Sequence, residues 1–197
     1  QGQIDIPLNE NGKDQARKTF EYLRNISFNK AFSSSMHRPY ETAQIILQNS
    51  KDLKIERIDS LVEISHGLWE GKLEAEIREQ WPALLKNWHD KPEEVIMPEG
   101  ESIKDVSERS VEAFDKICLS QKDNDLSLLV AHDAVNKTLI CNILGINYSN
   151  IWMIKQGNGG ITIIDLFNDP QKPPVISALN ITTHLGGIID STASGAL

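Results

Sequence analysis

Residues 33–44 read SSSMHRPYETAQ. Before them a short apolar run, Lys30 to Phe32, meets the serines; after them Tyr40, Ala43, Ile46 and Leu47 recur at helical spacing. That order predicts a strand ending in a polar turn that opens a helix, with Arg38 in the helix's first turn. Pro39 fits only near such a start, because it lacks an N–H and its fixed φ suits the first helical position. Free backbone N–H groups, the hydroxyls of Ser34 and its neighbours, and a guanidinium converge on one spot. Such a spot suits a phosphate or a carboxylate. A capped helix with a surface Arg would be written with the same twelve letters.

A second unit of the same kind lies at Leu126 to Gly145, LSLLVAHDAVNKTLICNILG. A Leu- and Val-rich strand ends at His132 and Asp133, and an apolar helix then runs to Gly145. In open α/β sheets, ligands bind in the crevice outside the carboxyl ends of the strands. Arg38 and His132 therefore occupy equivalent places in two strand-to-helix units. A lone His at a strand end is commonly structural; two such units in one chain favour function.

The elements between alternate. Asn9 is placed to cap a helix running to about Arg24, with Ala16, Phe20 and Leu23 on its inner face. Ile55 to Ile58 is a second strand, Pro82 starts a new helical piece, and Ser102 with Asp105 three residues on caps a helix carrying Ile103, Val106, Phe114 and Ile117. Ile161 to Phe167 and Pro174 to Leu179 are the last strands, and the tail from Gly186 to Leu197 is small and polar. This is how a three-layer α/β domain with a mainly parallel central sheet is written. One domain is expected over residues 1–185, with 186–197 a loosely held tail.

With 197 residues and a formal net charge of −8, and no basic stripe interleaved with aromatics, nucleic acid is not an expected partner. An anionic substrate would need a locally positive pocket. Cys118 and Cys141 lie inside apolar helical segments and read as buried reduced thiols. No run resembles a membrane span or a signal peptide, so a cytoplasmic location is the default.

Leu61 to Gly71, LVEISHGLWEG, has neither helical nor strand period and reads as a structured loop. A carboxyl among Leu61, Ile64, Leu68 and Trp69 would have its proton affinity raised by desolvation, which suits a general acid. The competing reading is a solvated acid for Glu63 and a helix cap for Glu70. His37, Glu63 and His66 match no ligand spacing, so no metal is expected. Trp81, Leu84, Leu85 and Trp88 form a stripe read as core or lid packing.

QGQIDIPLNENGKDQA, SSSMHRPYETA, LVEISHGLWEG, MPEGES and VAHDAVNK, in that order, resemble the histidine phosphatase superfamily, which includes the phosphoglycerate mutase-like proteins; within it the chain is similar to the carboxyl-terminal half of tandem proteins of photosynthetic bacteria. The resemblance implies hydrolysis of a small phosphomonoester through a phosphohistidine, with no metal or other cofactor. It assigns Arg38 to the phosphate clamp, Glu63 to proton donation and later proton abstraction, and His132 to the phosphoryl group. Gln1 and Gly2 fall just after the loop that helps to shape the phosphate pocket, and with Ser34 they are further substrate-binding candidates. The family's Arg-His-Gly motif, which supplies the nucleophile, is absent, as is the first, central strand of the sheet. His37, His66, His89 and His184 lie in other contexts. The chain begins at Gln1 rather than Met and reads as a piece of a longer one, a fragment inactive by itself, with a covalent tandem domain upstream as a further expectation. Asp133, Ala134 and Asn136 follow His132, where the family usually has glycines and often an Arg soon after. Mutases carry a longer insertion between the donor and the second His; here Glu63 and His132 are 69 positions apart, which favours a phosphatase over a mutase. A pseudoenzyme that only binds an anion is the third class.

Overall fold

Three parallel strands form the principal sheet in a computed structural model of the chain, which describes residues 2–169 and 171–186. β1 (Lys30–Ser34) lies between β2 (Ile55–Ile58) and β3 (Ser127–Val130), with Phe32 opposite both Glu56 and Leu129. Parallel neighbours need a crossover between them, and the helices supply it. α1 (Glu10–Leu23) packs on α2 (His37–Ile46), and α5 (Ile103–Ser120) on α6 (Asp133–Leu144). Between β2 and α5 lie the site loop and two short helices, α3 (Glu74–Gln80) and α4 (Pro82–Asp90).

The expected caps are present. Asn9 accepts from the Gly12 N–H at 2.8 Å, and Ser102 and Asp105 form a reciprocal capping box at the start of α5. Pro39 stands third in α2, not first, because the helix already begins at His37 with Met36 as its cap. The buried face of α1 is Gln15, Ala16 and Thr19; Phe20 and Leu23 are only half-buried. A polar contact moves that face: the Thr19 hydroxyl donates to the Gln15 carbonyl and lies 3.1 Å from His184 Nε2. Glu70 does not cap the next helix, since Leu73 takes that place and its N–H donates to Glu76 at 2.7 Å.

β4 (Ile161–Asp165) and β5 (Val175–Ile181) form a separate antiparallel pair, β4 ending two residues before the expected Phe167. β3 and β4 are not hydrogen-bonded to each other. A cleft of about 2400 Å³ lies between them, lined by Leu128, Val130, Ile161 and Ile163, and it continues to Arg38, Glu63 and His132. Strands of a parallel sheet are ordinarily buried on both faces. Here Leu128, Leu129 and Val130 are half-exposed and Ile163 is 44% exposed. In the core Leu61, Ile64, Ile77, Trp88, Ile103 and Val135 are almost wholly buried, and Ile64 and Trp88 also line the cleft. Both cysteines are free, Cys141 buried and Cys118 partly so. No helix among the described residues is long and apolar enough to cross a membrane.

Candidate active site

Because β1 and β3 are parallel neighbours with Ser33 opposite Val130, the turns that follow them open side by side. Ser34 and His132 meet there, with the hydroxyl 3.0 Å from Nε2 and both side chains buried. His132 is the residue that caps α6. Burial first, and then the positive charges of Arg38 and Arg109, push its imidazole down to about 3. The ring is therefore neutral at physiological pH, suited to hydrogen bonding rather than to carrying charge.

Arg38 projects from the first turn of α2. Its Nη1 donates to the Ile4 carbonyl at 3.0 Å, and Asp5 accepts from the His37 N–H at 2.7 Å, so the amino-terminal loop is tied to the start of that helix. Gly2 sits beside the same site with φ +47°, and a Cβ there would stand 2.3 Å from Glu70 Oε1. That carboxylate accepts from the Gln3 and His66 N–H groups at 2.9 and 3.1 Å. Gln1 lies outside the described residues.

Glu63 lies between these two helix starts. Its carboxylate accepts from its neighbour Ile64 at 2.9 Å and from the Ala134 N–H in the first turn of α6. Burial drives its proton affinity up to about 7; the Ile64 N–H opposes this, the Asp133 charge adds to it, and the Ala134 N–H and Arg38 oppose it. A carboxyl set near neutrality can both give and take a proton. Glu63 is a candidate acid–base group by geometry and by environment, and the solvated-acid reading fails.

The wall beyond Glu63 is aromatic. His66 packs edge-on to Trp88 at 6.1 Å, and Trp88 to Trp152 at 5.0 Å. Trp88 is 1% exposed, which makes it core rather than part of a lid. Lys137 is buried over the Trp152 ring and pairs with Asp133 at 2.8 Å. Among the described residues no group of three or more His, Cys, Asp or Glu is gathered as a metal cluster. Sequence reading missed Gln3, whose amide donates to the Glu63 carbonyl at 3.0 Å, and Arg109, which donates to the same carbonyl at 3.0 Å. The sequence signal for Arg109 was its place on α5, two turns after Glu101.

The arrangement combines a fixed guanidinium, a buried neutral imidazole, helix-start N–H groups and a carboxyl poised near neutrality. Comparison with known proteins agrees with it. Residues 1–180 match the profile of the histidine phosphatase superfamily (branch 1). Phosphoserine phosphatase 1 of Hydrogenobacter thermophilus is 32% identical over 186 residues, covering 94% of this chain and 86% of that protein. The 2-carboxy-D-arabinitol-1-phosphatase of Triticum aestivum is 28% identical over 181 residues, covering 91% of this chain and 36% of the relative. Among solved structures, Bacillus stearothermophilus YhfR superposes with a TM-score of 0.86 at 26% identity, covering 94% of this chain and 90% of that one. The chain belongs to the histidine phosphatase superfamily.

Proposed function

We propose that the protein is a phosphomonoester hydrolase that works through a phosphohistidine and needs no metal. The observation that carries the reading is Glu63, buried between the starts of α2 and α6 and held near neutral proton affinity beside Arg38 and His132. In this reading Arg38, neutral His132, Ser34 and the backbone around Gly2 bind the phosphoryl oxygens. Charge spreads over those oxygens during transfer, so fixed donors around them lower the barrier. A His that is not among these 197 residues attacks phosphorus, forming the N–P bond as the P–O bond to the alcohol breaks. Glu63 gives its proton to the leaving oxygen, then takes one from the water that cleaves the N–P bond.

The nucleophile enters on a strand placed between β3 and β4. The unpaired edges of both strands and the apolar cleft between them support that placement. The relatives named as phosphatases support transfer to water rather than to a second sugar-acid hydroxyl.

The test is phosphate release by the full product of the gene, from p-nitrophenyl phosphate and phosphoserine, with and without EDTA. Release that resists EDTA, an acid-labile phosphoenzyme on rapid quench, and loss of turnover in Glu63→Gln are expected. Absence of a phosphoenzyme, or full activity in Glu63→Gln, overturns the reading.

A further inference from the structure

Residues 62–66, between short 3-10 turns at Asp59–Leu61 and Gly67–Trp69, belong to no helix or strand and are held largely by side chains from elsewhere. Arg109, on α5, spends all five of its N–H groups. Nη1 donates to the carbonyls of Ser60 at 2.9 Å and Val62 at 2.6 Å, and Nη2 to that of Glu63 at 3.0 Å. Nε and Nη2 grip the Glu101 carboxylate at 2.8 and 2.9 Å. Glu101 in turn accepts from the Ser65 N–H at 2.8 Å, and its own N–H donates to the Ser65 carbonyl at 2.9 Å. The brace continues at Gly67 and Gly100, where the two loops approach so closely that a Cβ would stand 2.1 Å from the Pro98 carbonyl or 2.5 Å from that of Ser65.

We infer that Arg109, locked by Glu101, is a positioning residue that holds the backbone on both sides of Glu63 so that its carboxyl stays against the start of α6. No other side-chain type could replace it. A planar guanidinium reaches three carbonyls and a carboxylate at once, whereas an ammonium has three donors and no fork. The pair itself is poorly exposed, Arg109 at 19% and Glu101 at 22%, where leaving one partner unmatched is costly. Arg109 touches no reacting atom; it acts through the main chain of residues 60–63. Its role in turnover rests on the reading of Glu63 as the acid, but its effect on Glu63 does not.

The experiment therefore reads Glu63 directly, on the chain without catalysis. Carbon-13-labelled Glu side chains are titrated by NMR in the parent and in Arg109→Lys, with Glu63→Gln giving the assignment. The groups that face Glu63 from the packed elements, Asp133 and Arg38, stay in place in both proteins. In the parent the carboxyl should titrate near 7. In Arg109→Lys the freed loop lets the carboxyl swing further into the cleft, and the midpoint should fall toward the unperturbed value of 4.5. A folded variant with an unchanged Glu63 midpoint overturns the inference. If Arg109→Lys does not fold, Glu101→Gln is titrated instead, with the same direction expected. Failure of both variants to fold also overturns it, by making the pair a global support.

Where the enzyme turns over, Arg109→Lys should lower kcat by about ten- to a hundredfold with little change in KM, and move the alkaline limb of the pH profile to lower pH. An inactive parent whose Glu63 still shifts would remove the proposed reaction and leave the positioning role standing.

Discussion

Replacing Glu63 by Gln should make the protein more stable at alkaline pH while disabling its chemistry. In the folded chain the carboxyl binds its proton with an affinity near 7, against 4.5 for the unperturbed group. The folded state thus holds the proton more tightly than the unfolded one. Glu63 contributes most to stability below the unfolded value, and that contribution disappears as pH rises through the folded value. Integrated between about pH 5 and about pH 8, the loss is about 2.5 kcal/mol. The amide of Glu63→Gln is isosteric and can still accept from Ile64 and Ala134, but it has no proton to lose. Denaturant unfolding of parent and variant across that range measures the difference. On going from pH 5 to pH 8 the variant should gain on the parent by about 2–3 kcal/mol. A difference that does not change with pH would mean that Glu63 is not held protonated, and the case for it as an acid would collapse.

Asp133→Asn should lower the Glu63 midpoint, because the Asp133 charge is one of the two causes that raise it; the same NMR titration reads this, and a rise would contradict it. Arg38→Ala should weaken binding of inorganic phosphate by roughly ten- to a hundredfold, the worth of a hydrogen bond from a charged donor, measured by calorimetry. Gly67→Ala should destabilise by about 2 kcal/mol or more, since the residue has φ +53° and its Cβ would meet the Pro98 carbonyl, which cannot yield as a flexible side chain would. A melting temperature within about a degree of the parent's would refute that last expectation.

The parts that were legible in the sequence are those that local chemistry dictates. Asn9 and the Ser102/Asp105 pair announce helix starts because their side chains match orphan N–H groups within three residues. Arg38 and His132 could be placed together because each follows an apolar strand, and parallel neighbours bring such turns to one edge. The Glu63 environment was not legible in the same way. Its proton affinity depends on Asp133 and Ala134, far along the chain, and its backbone on Arg109 from a third element. Nothing within LVEISHGLWEG itself distinguishes a braced carboxyl of raised proton affinity from a solvated one.

The cleft between β3 and β4 shows the same divide from the other direction. Leu128, Leu129 and Val130 are written as an interior strand, and the apolar letters are right for one. Whether they are covered is set by what pairs with the free edge, which no local pattern in those residues records. A strand placed there would bury Leu128, Val130 and Ile163 and would end beside Ser34 and His132, since the cleft runs to them. The apolar slot between β3 and β4 and the cluster of Arg38, Glu63 and His132 are therefore two ends of one cavity.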